Sequence, residues 1–271
     1  MLTSPLFLSC APSGTDRRTS SPPGLKSACN IPLPHPALAR PGLSTPTHTF
    51  HLHPLLPCVD RSAIFPLASR LNHSCAPNLS FTYHTPSRSL HLYATAPLVP
   101  DQELSISYLS TRLLLPAAER QAHLLSSFGF QCVCASCTDQ TGESDARRAR
   151  IAELKTEVDA LFPVEPQKAY TASRTLLVLC EEESLAVEAA FARATLAQIV
   201  IMWGGAEELA ERLVEEVWRA FVCVRGEEGE DARRWARWRG RGQVGKHPRW
   251  GGLGRCEFAE EEVKVELKED R

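Results

Sequence analysis

The segment Arg70-Leu71-Asn72-His73-Ser74-Cys75-Ala76-Pro77-Asn78 is followed by Glu103-Leu104-Ser105-Ile106-Ser107-Tyr108 and then by Cys132-Val133-Cys134-Ala135-Ser136-Cys137. One short region therefore holds a compact polar loop, an alternating strand that ends in a tyrosine, and a cysteine knuckle. One residue separates Cys132 from Cys134 and two separate Cys134 from Cys137, so three thiolates can converge on a single ion. Structural zinc is tetrahedral and closed by four nitrogen or sulphur ligands, so a fourth must come from elsewhere. By residue type the candidates are Cys58, Cys75, His73, His84 and His91, and spacing does not choose among them. Thiols packed this tightly suit a metal better than separate disulfides, which points to a reducing, intracellular compartment, either nucleus or cytoplasm.

Around these motifs the chain reads as alternating strands. Leu79–His84 and Leu90–Ala94 alternate apolar and polar residues about Thr85-Pro86-Ser87-Arg88, the pattern of two strands joined by a turn. Ser62–Phe65 ends as a short apolar run before Pro66. Pro116 followed by Ala117–Leu125 predicts a helix of about three turns, broken at Gly129. Glu103 reads as the residue that opens the strand ending at Tyr108.

Further out the character changes twice. Residues 143–224 take on a helical period: Ile151, Leu154, Val158 and Leu161 mark one apolar face, and Leu209, Leu213, Val217 and Phe221 another. With Thr171–Glu183 and Leu185–Trp203 between them, this predicts a small domain of about four helices. Residues 1–59 are rich in Pro, Ser, Thr and His, show no sustained period, and read as a disordered leader. Its His48, His51 and His53 are read as solvated side chains rather than a metal tract. Residues 225–271 read as a disordered charged tail. Its Arg233–Gly242 run, with Trp235 and Trp238 interleaved, has the composition for stacking on single-stranded RNA, but without a folded platform nucleic acid is not the expected partner.

The bulk numbers are permissive. A 271-residue chain with 43% hydrophobic residues builds one good core or two small domains, and a net charge of −2 gives no global argument for nucleic acid or anionic membrane. No apolar run approaches the roughly 20 residues needed to cross a bilayer. The first ten residues lack the basic start of a signal peptide, and Pro5 interrupts them.

The order of the three opening motifs resembles the C-terminal half of a SET domain, the fold of many protein lysine methyltransferases. The closing cysteine spacing resembles the SET-and-MYND (SMYD-like) branch. The resemblance implies an α+β architecture: a partial SET-type β fold over 60–127, a zinc-binding post-SET knuckle over 128–140, and a helical domain over 143–224. It also implies that Cys75 supplies the fourth thiolate beside Cys132, Cys134 and Cys137, with zinc acting as a structural clamp. In such proteins S-adenosylmethionine is held by the residues corresponding to Asn72 and His73, and Phe130 would pack on its adenine. Phe128 would line the channel for the target lysine, and Tyr108 would be the catalytic tyrosine.

The implied activity is S-adenosylmethionine-dependent methylation of a lysine on a histone or another protein, with the helical domain available to a protein partner. Two features of the pattern are missing. Residues 1–60 contain no Gly-x-Gly for the cofactor's methionyl end, and Cys10, Cys29 and Cys58 stand alone rather than in MYND-like pairs. The alternative reading is therefore a catalytically inactive SET remnant that serves as a zinc-stabilised protein-interaction module.

Overall fold

The hairpin Leu79–His84 (β5) and Ser89–Ala94 (β6) pairs antiparallel in the register Leu79↔Ala94, Phe81↔Leu92, Tyr83↔Leu90. Because side chains alternate across a strand, these pairs share one face, and Ser80↔Tyr93, Thr82↔His91 and His84↔Ser89 share the other. The computed structural model describes residues 8–10, 49–52, 61–84 and 86–258, the side chains of 8–10, 49–52 and 61–64 excepted. Two short strands fall in the segment expected to be a disordered leader. Leu8–Cys10 (β1) pairs with β6, and Thr49–Leu52 (β2) pairs with Arg61–Ile64 (β3). The rest of that expectation, including the side chains of His48, His51, His53 and Cys58, lies outside the described residues.

The first hairpin face closes a small core. Leu79, Leu90 and Leu92 bury themselves with Phe65, Ala68 and Ile106. Ile106 lies on Ser105–Ile106 (β7), which runs parallel to Asn72–His73 (β4). The second face carries polar groups yet is also covered. Ser80 donates from Oγ to the Val224 carbonyl at 2.7 Å, and His84 pairs with Glu228 at 2.9 Å. Val224 lies in the last turn of a helix in the second half of the chain, and Glu228 in the turn that follows it.

That half is an array of helices: Ala117–Phe128 (α1), Ala135–Thr138 (α2), Glu143–Leu161 (α3), Pro166–Glu182 (α4), Ala186–Met202 (α5), Glu207–Arg225 (α6) and Glu230–Ala236 (α7). Short connections from α3 to α6 make sequence neighbours into packing neighbours. Helix α5 is apolar on nearly every side, and Ala190, Ala197, Ile199 and Val200 are inaccessible to solvent, as befits the central helix of the array. Helix α6 is amphipathic. Its buried Leu209, Leu213, Val217 and Phe221 are the stripe expected from the sequence, and its far end meets the β hairpin.

Residues 225–258 correct the expectation of a disordered tail. The last carbonyls of α5 lack helical donors, and the glycine-rich segment supplies them: Gly251 N donates to Ile201 O, Leu253 N to Met202 O and Cys256 N to Trp203 O, at 2.8–2.9 Å. Glu207, Glu211 and Glu215, four residues apart on α6, form an acidic row on one helix face. Gly242 N donates to Glu211, Arg239 donates to Glu215 at 2.7 Å, and the Arg239 guanidinium lies 3.3 Å above the Trp218 ring. Glycine is used here for close approach rather than for flexibility, and Trp235 and Val244 are buried.

Helix α6 ends at Gly226, whose φ of +76° lies in the left-handed region, and a Cβ there would collide with the Tyr93 ring. Gly226→Ala is therefore expected to cost about 2 kcal/mol or more in urea unfolding. Tyr93→Leu should cost less in that background than in the wild type, because the collision is already relieved. Additive effects in the double variant would contradict the close approach.

Candidate functional site

The parallel pairing of β4 with β7 brings the Asn72–Asn78 loop against the strand that leads to Tyr108. Ser74 N donates to Ile106 O at 3.0 Å, Ser105 N donates to Asn78 Oδ1 at 2.9 Å, and Asn78 Nδ2 donates to Glu103 O at 2.8 Å. Asn78 thus pins both ends of the crossing. The exposed Asn72 side chain donates from Nδ2 to Glu103 Oε1 at 2.5 Å, so Glu103 does more than open the strand.

His73 sits at the centre of the crossing. Tyr108 N donates to its Nδ1 at 3.0 Å, and its Nε2 lies 3.3 Å from Cys75 Sγ. Burial pushes the imidazole down to about 4, so the ring is neutral near pH 7. With Nδ1 accepting, the proton belongs on Nε2 and points to the Cys75 sulphur. His73 therefore couples the backbone of Tyr108 to the cysteine cluster.

Four aromatic rings gather here. The Tyr108 ring lies 5.1 Å from Phe128, 5.3 Å from His73 and 6.2 Å from Phe130, and Phe130 lies 6.1 Å from His73. Phe128 ends α1, and Gly129 at φ +76° turns the chain so that Phe130 returns to the same patch. The Tyr108 hydroxyl donates to the Leu71 carbonyl, and burial raises its pKa, so it stays protonated near neutrality. Tyr108 packs against both the β core and the larger helical core.

Among the described residues, Cys75, Cys132, Cys134 and Cys137 form the one Cys/His/carboxylate group whose ligand atoms meet, with all four sulphurs within 4.8 Å of one another. A zinc tetrahedron with Zn–S bonds of about 2.3 Å has S···S edges of about 3.8 Å, and Cys75 and Cys137 stand at 3.5 Å. All four are free of disulfides. Four thiols this close cannot all ionise by themselves. Their mutual hydrogen bonds pull Cys134 down and Cys137 down to about 7, and push Cys75 and Cys132 up. A divalent cation resolves that conflict, so the donor set fits a closed tetrahedral metal.

Two fully buried arginines surround the cluster, and sequence reading missed both. Arg120 on α1 donates from Nη2 to Ser136 O at 2.9 Å, and the same atom lies 3.7 Å from Cys137 Sγ. Arg148 on α3 donates to Cys75 O at 3.0 Å, Ser136 Oγ at 3.1 Å and Leu113 O at 2.7 Å, and to the buried Glu183 of the α4–α5 connection at 2.8 Å. Four thiolates outnumber the charges of a divalent cation; the Arg120 guanidinium beside Cys137 suits part of that excess, whereas the charge of Arg148 is met by Glu183. The available sequence signal was Arg148 lying three residues before Ile151 on an otherwise apolar stripe.

With this geometry in place, residues 15–109 match the family model of the SET domain. Over 129 residues the chain is 30% identical to "Histone-lysine N-methyltransferase set5" of Schizosaccharomyces pombe, covering 46% of this chain and 40% of that protein. Human "Histone-lysine N-methyltransferase SMYD3" is 30% identical over 118 residues, 44% of this chain and 27% of its own. Human "N-lysine methyltransferase SMYD2" is 36% identical over 93 residues, 34% of this chain and 20% of its own. The chain thus carries a segment that matches the SET domain and is similar to SMYD-like methyltransferases, and it spans two fifths or less of the length of these relatives. The SET match begins at residue 15, well before the boundary read at residue 60. No helix among the described residues is long and apolar enough to cross a membrane.

Metal analysis of the purified chain is expected to find about one zinc, lost in Cys134→Ser. Arg120→Met should keep the zinc but release it to a chromogenic chelator at least ~10-fold faster, with Arg120→Lys intermediate. Unchanged release would show that the guanidinium does not support the centre.

Proposed function

We propose that this chain carries part of an S-adenosylmethionine-dependent protein lysine methyltransferase, with Tyr108 as the catalytic tyrosine and a structural zinc on Cys75, Cys132, Cys134 and Cys137. The observation that carries the reading is the convergence of His73, Tyr108, Phe128 and Phe130 on one patch beside the four sulphurs, with Asn72 next to His73 on β4. SMYD3 and SMYD2, to which parts of the chain are similar, are lysine methyltransferases by name. The cofactor, when bound, supplies a methyl group activated on a sulfonium. The residues present suit it: an exposed amide at Asn72 for its polar methionyl end and the half-exposed Phe130 ring for its adenine.

The chain's own groups then have defined tasks. A lysine is protonated in water near neutrality, and the aromatic walls of Phe128 and Phe130 disfavour the charged form by removing its hydration. The Tyr108 hydroxyl already gives its proton to Leu71 O, so towards an incoming amine it acts as an acceptor. An N–H of the amine donated to that oxygen turns the nitrogen lone pair away from the tyrosine and along the line of attack. Alignment and exclusion of water supply the catalysis, with no covalent step on the protein. The substrate is a lysine of a histone or other protein, and the helical array offers a surface for a protein partner.

The absence of a Gly-x-Gly in residues 1–60 and the engagement of Asn72 by Glu103 favour a second reading, a non-catalytic remnant. Titration calorimetry separates the two. Zinc-loaded protein is expected to release heat with S-adenosylmethionine, and Asn72→Ala to abolish it. Tyr108→Phe should keep the binding and lose at least ~100-fold in methyl transfer to protein lysines. No heat from the zinc-loaded wild type would support the remnant.

A further inference from the structure

Residues 230–258 hold eight Lys or Arg against three Asp or Glu, a net of +5 in a chain whose total is −2. The folding of this segment changes what that charge can do. On α7 the inward positions are Ala232 and Trp235, while Arg233, Arg234 and Arg237 all project from the opposite face. The chain then turns back, and the Trp238 ring packs on His247 at 4.5 Å, which sets the end of α7 beside the 244–246 turn. Arg241, Lys246 and Arg249 are exposed on this returning segment. Among the described residues, only Arg234 of these six cations pairs with an acid, Glu230 at a long 3.5 Å. In the neighbouring acidic row of α6, Glu215 is occupied by Arg239 and Glu211 by the Gly242 N–H, so these two carboxylates do not neutralise them.

The aromatic residues argue against single strands. Trp235 is 6% exposed, Trp218 is covered by Arg239, and Trp238 is taken by His247. A single-stranded ligand needs open rings on which bases stack, and the indoles here serve the fold. What remains outward is guanidinium and ammonium, whose natural complement is a phosphate backbone. A seven-residue helix with arginines along its face has no evident means of reading base edges.

We propose that the α7 face together with the 241–249 return is a docking surface for duplex nucleic acid, bound through its phosphates without sequence preference. This surface is separate from the aromatic patch, and the proposal does not depend on methyl transfer. It is compatible with methylation of a substrate that is itself held on nucleic acid. Residues 259–271 carry six acids and three bases, so the full chain is the right object to test.

Fluorescence anisotropy with a labelled 20-base-pair DNA of arbitrary sequence is the test. Saturable binding is expected at 50 mM salt, and about four phosphate contacts should weaken it about 100-fold by 200 mM. Arg233→Ala/Arg237→Ala/Lys246→Ala should bind at least ~10-fold more weakly at 50 mM salt. Its circular dichroism and melting should be unchanged, because none of the three side chains is buried. Absence of binding at 50 mM salt, or wild-type affinity in the triple variant, overturns the proposal. Tighter binding of poly-glutamate than of the duplex also overturns it and assigns the surface to an acidic protein. Retained zinc and S-adenosylmethionine binding in the triple variant separates this outcome from failure of the methyltransferase reading.

Discussion

The contact on which the site depends is the meeting of four sulphurs from two distant stretches of chain inside a ring of buried guanidinium bonds. Cys75 comes from the loop after β4, Cys132 and Cys134 from the turn after α1 and Cys137 from α2, with no regular hydrogen-bonded ladder between the two pieces. Sulphur at 3.5 Å from sulphur is a poor contact without a cation and an excellent one with it. Arg120 and Arg148 extend the tie outwards. Buried and unpaired, each would cost several kcal/mol; here they hold the carbonyls of Cys75, Leu113, Leu115 and Ser136. Through Glu183, Arg148 also fastens the cluster to the start of the α5 hairpin. The four sulphurs, the aromatic patch and the helical array are one mechanical unit.

The second link between the halves is the polar face of the β5–β6 hairpin. A hairpin with one apolar face ordinarily leaves the other in water. Here the Ser80 hydroxyl reaches the last turn of α6, and Tyr93 fills the space that Gly226 leaves empty. The β core and the helical core therefore approach Tyr108 from two sides, and the residue touches both. A tyrosine so held presents its hydroxyl in a fixed direction, which alignment chemistry requires.

The parts legible in the sequence were those set by local pattern. Period-2 alternation gave the 79–84 and 89–94 strands, period-3.6 stripes gave α3 and α6, and the cysteine spacing gave three members of the sulphur cluster. The fourth, Cys75, rested on family resemblance, because nothing local separates it from His84 or His91. In the structure those two histidines stack on each other at 5.0 Å on the hairpin's polar face. Arg120 and Arg148 were illegible for another reason. A charged residue on a helix is read as solvated by default, and only the tertiary neighbours reveal a buried role.

The segment 225–258 shows where composition misleads. Glycine and arginine together suggest a chain without enough apolar area to fold, yet the binding partners here are polar and already in place. Helix α5 ends with carbonyls that lack donors, and α6 presents carboxylates at four-residue spacing, so a segment rich in N–H groups and guanidinium satisfies both. Bulky side chains would hold that backbone away; Gly204 and Gly251 approach so closely that a Cβ on the former would lie 3.1 Å from the Cα of the latter. The same bonding decides the charge of the outer surface. With Arg239 on Glu215 and the backbone of Gly242 on Glu211, these two carboxylates are used within the fold, and Arg233, Arg237, Arg241, Lys246 and Arg249 stand exposed.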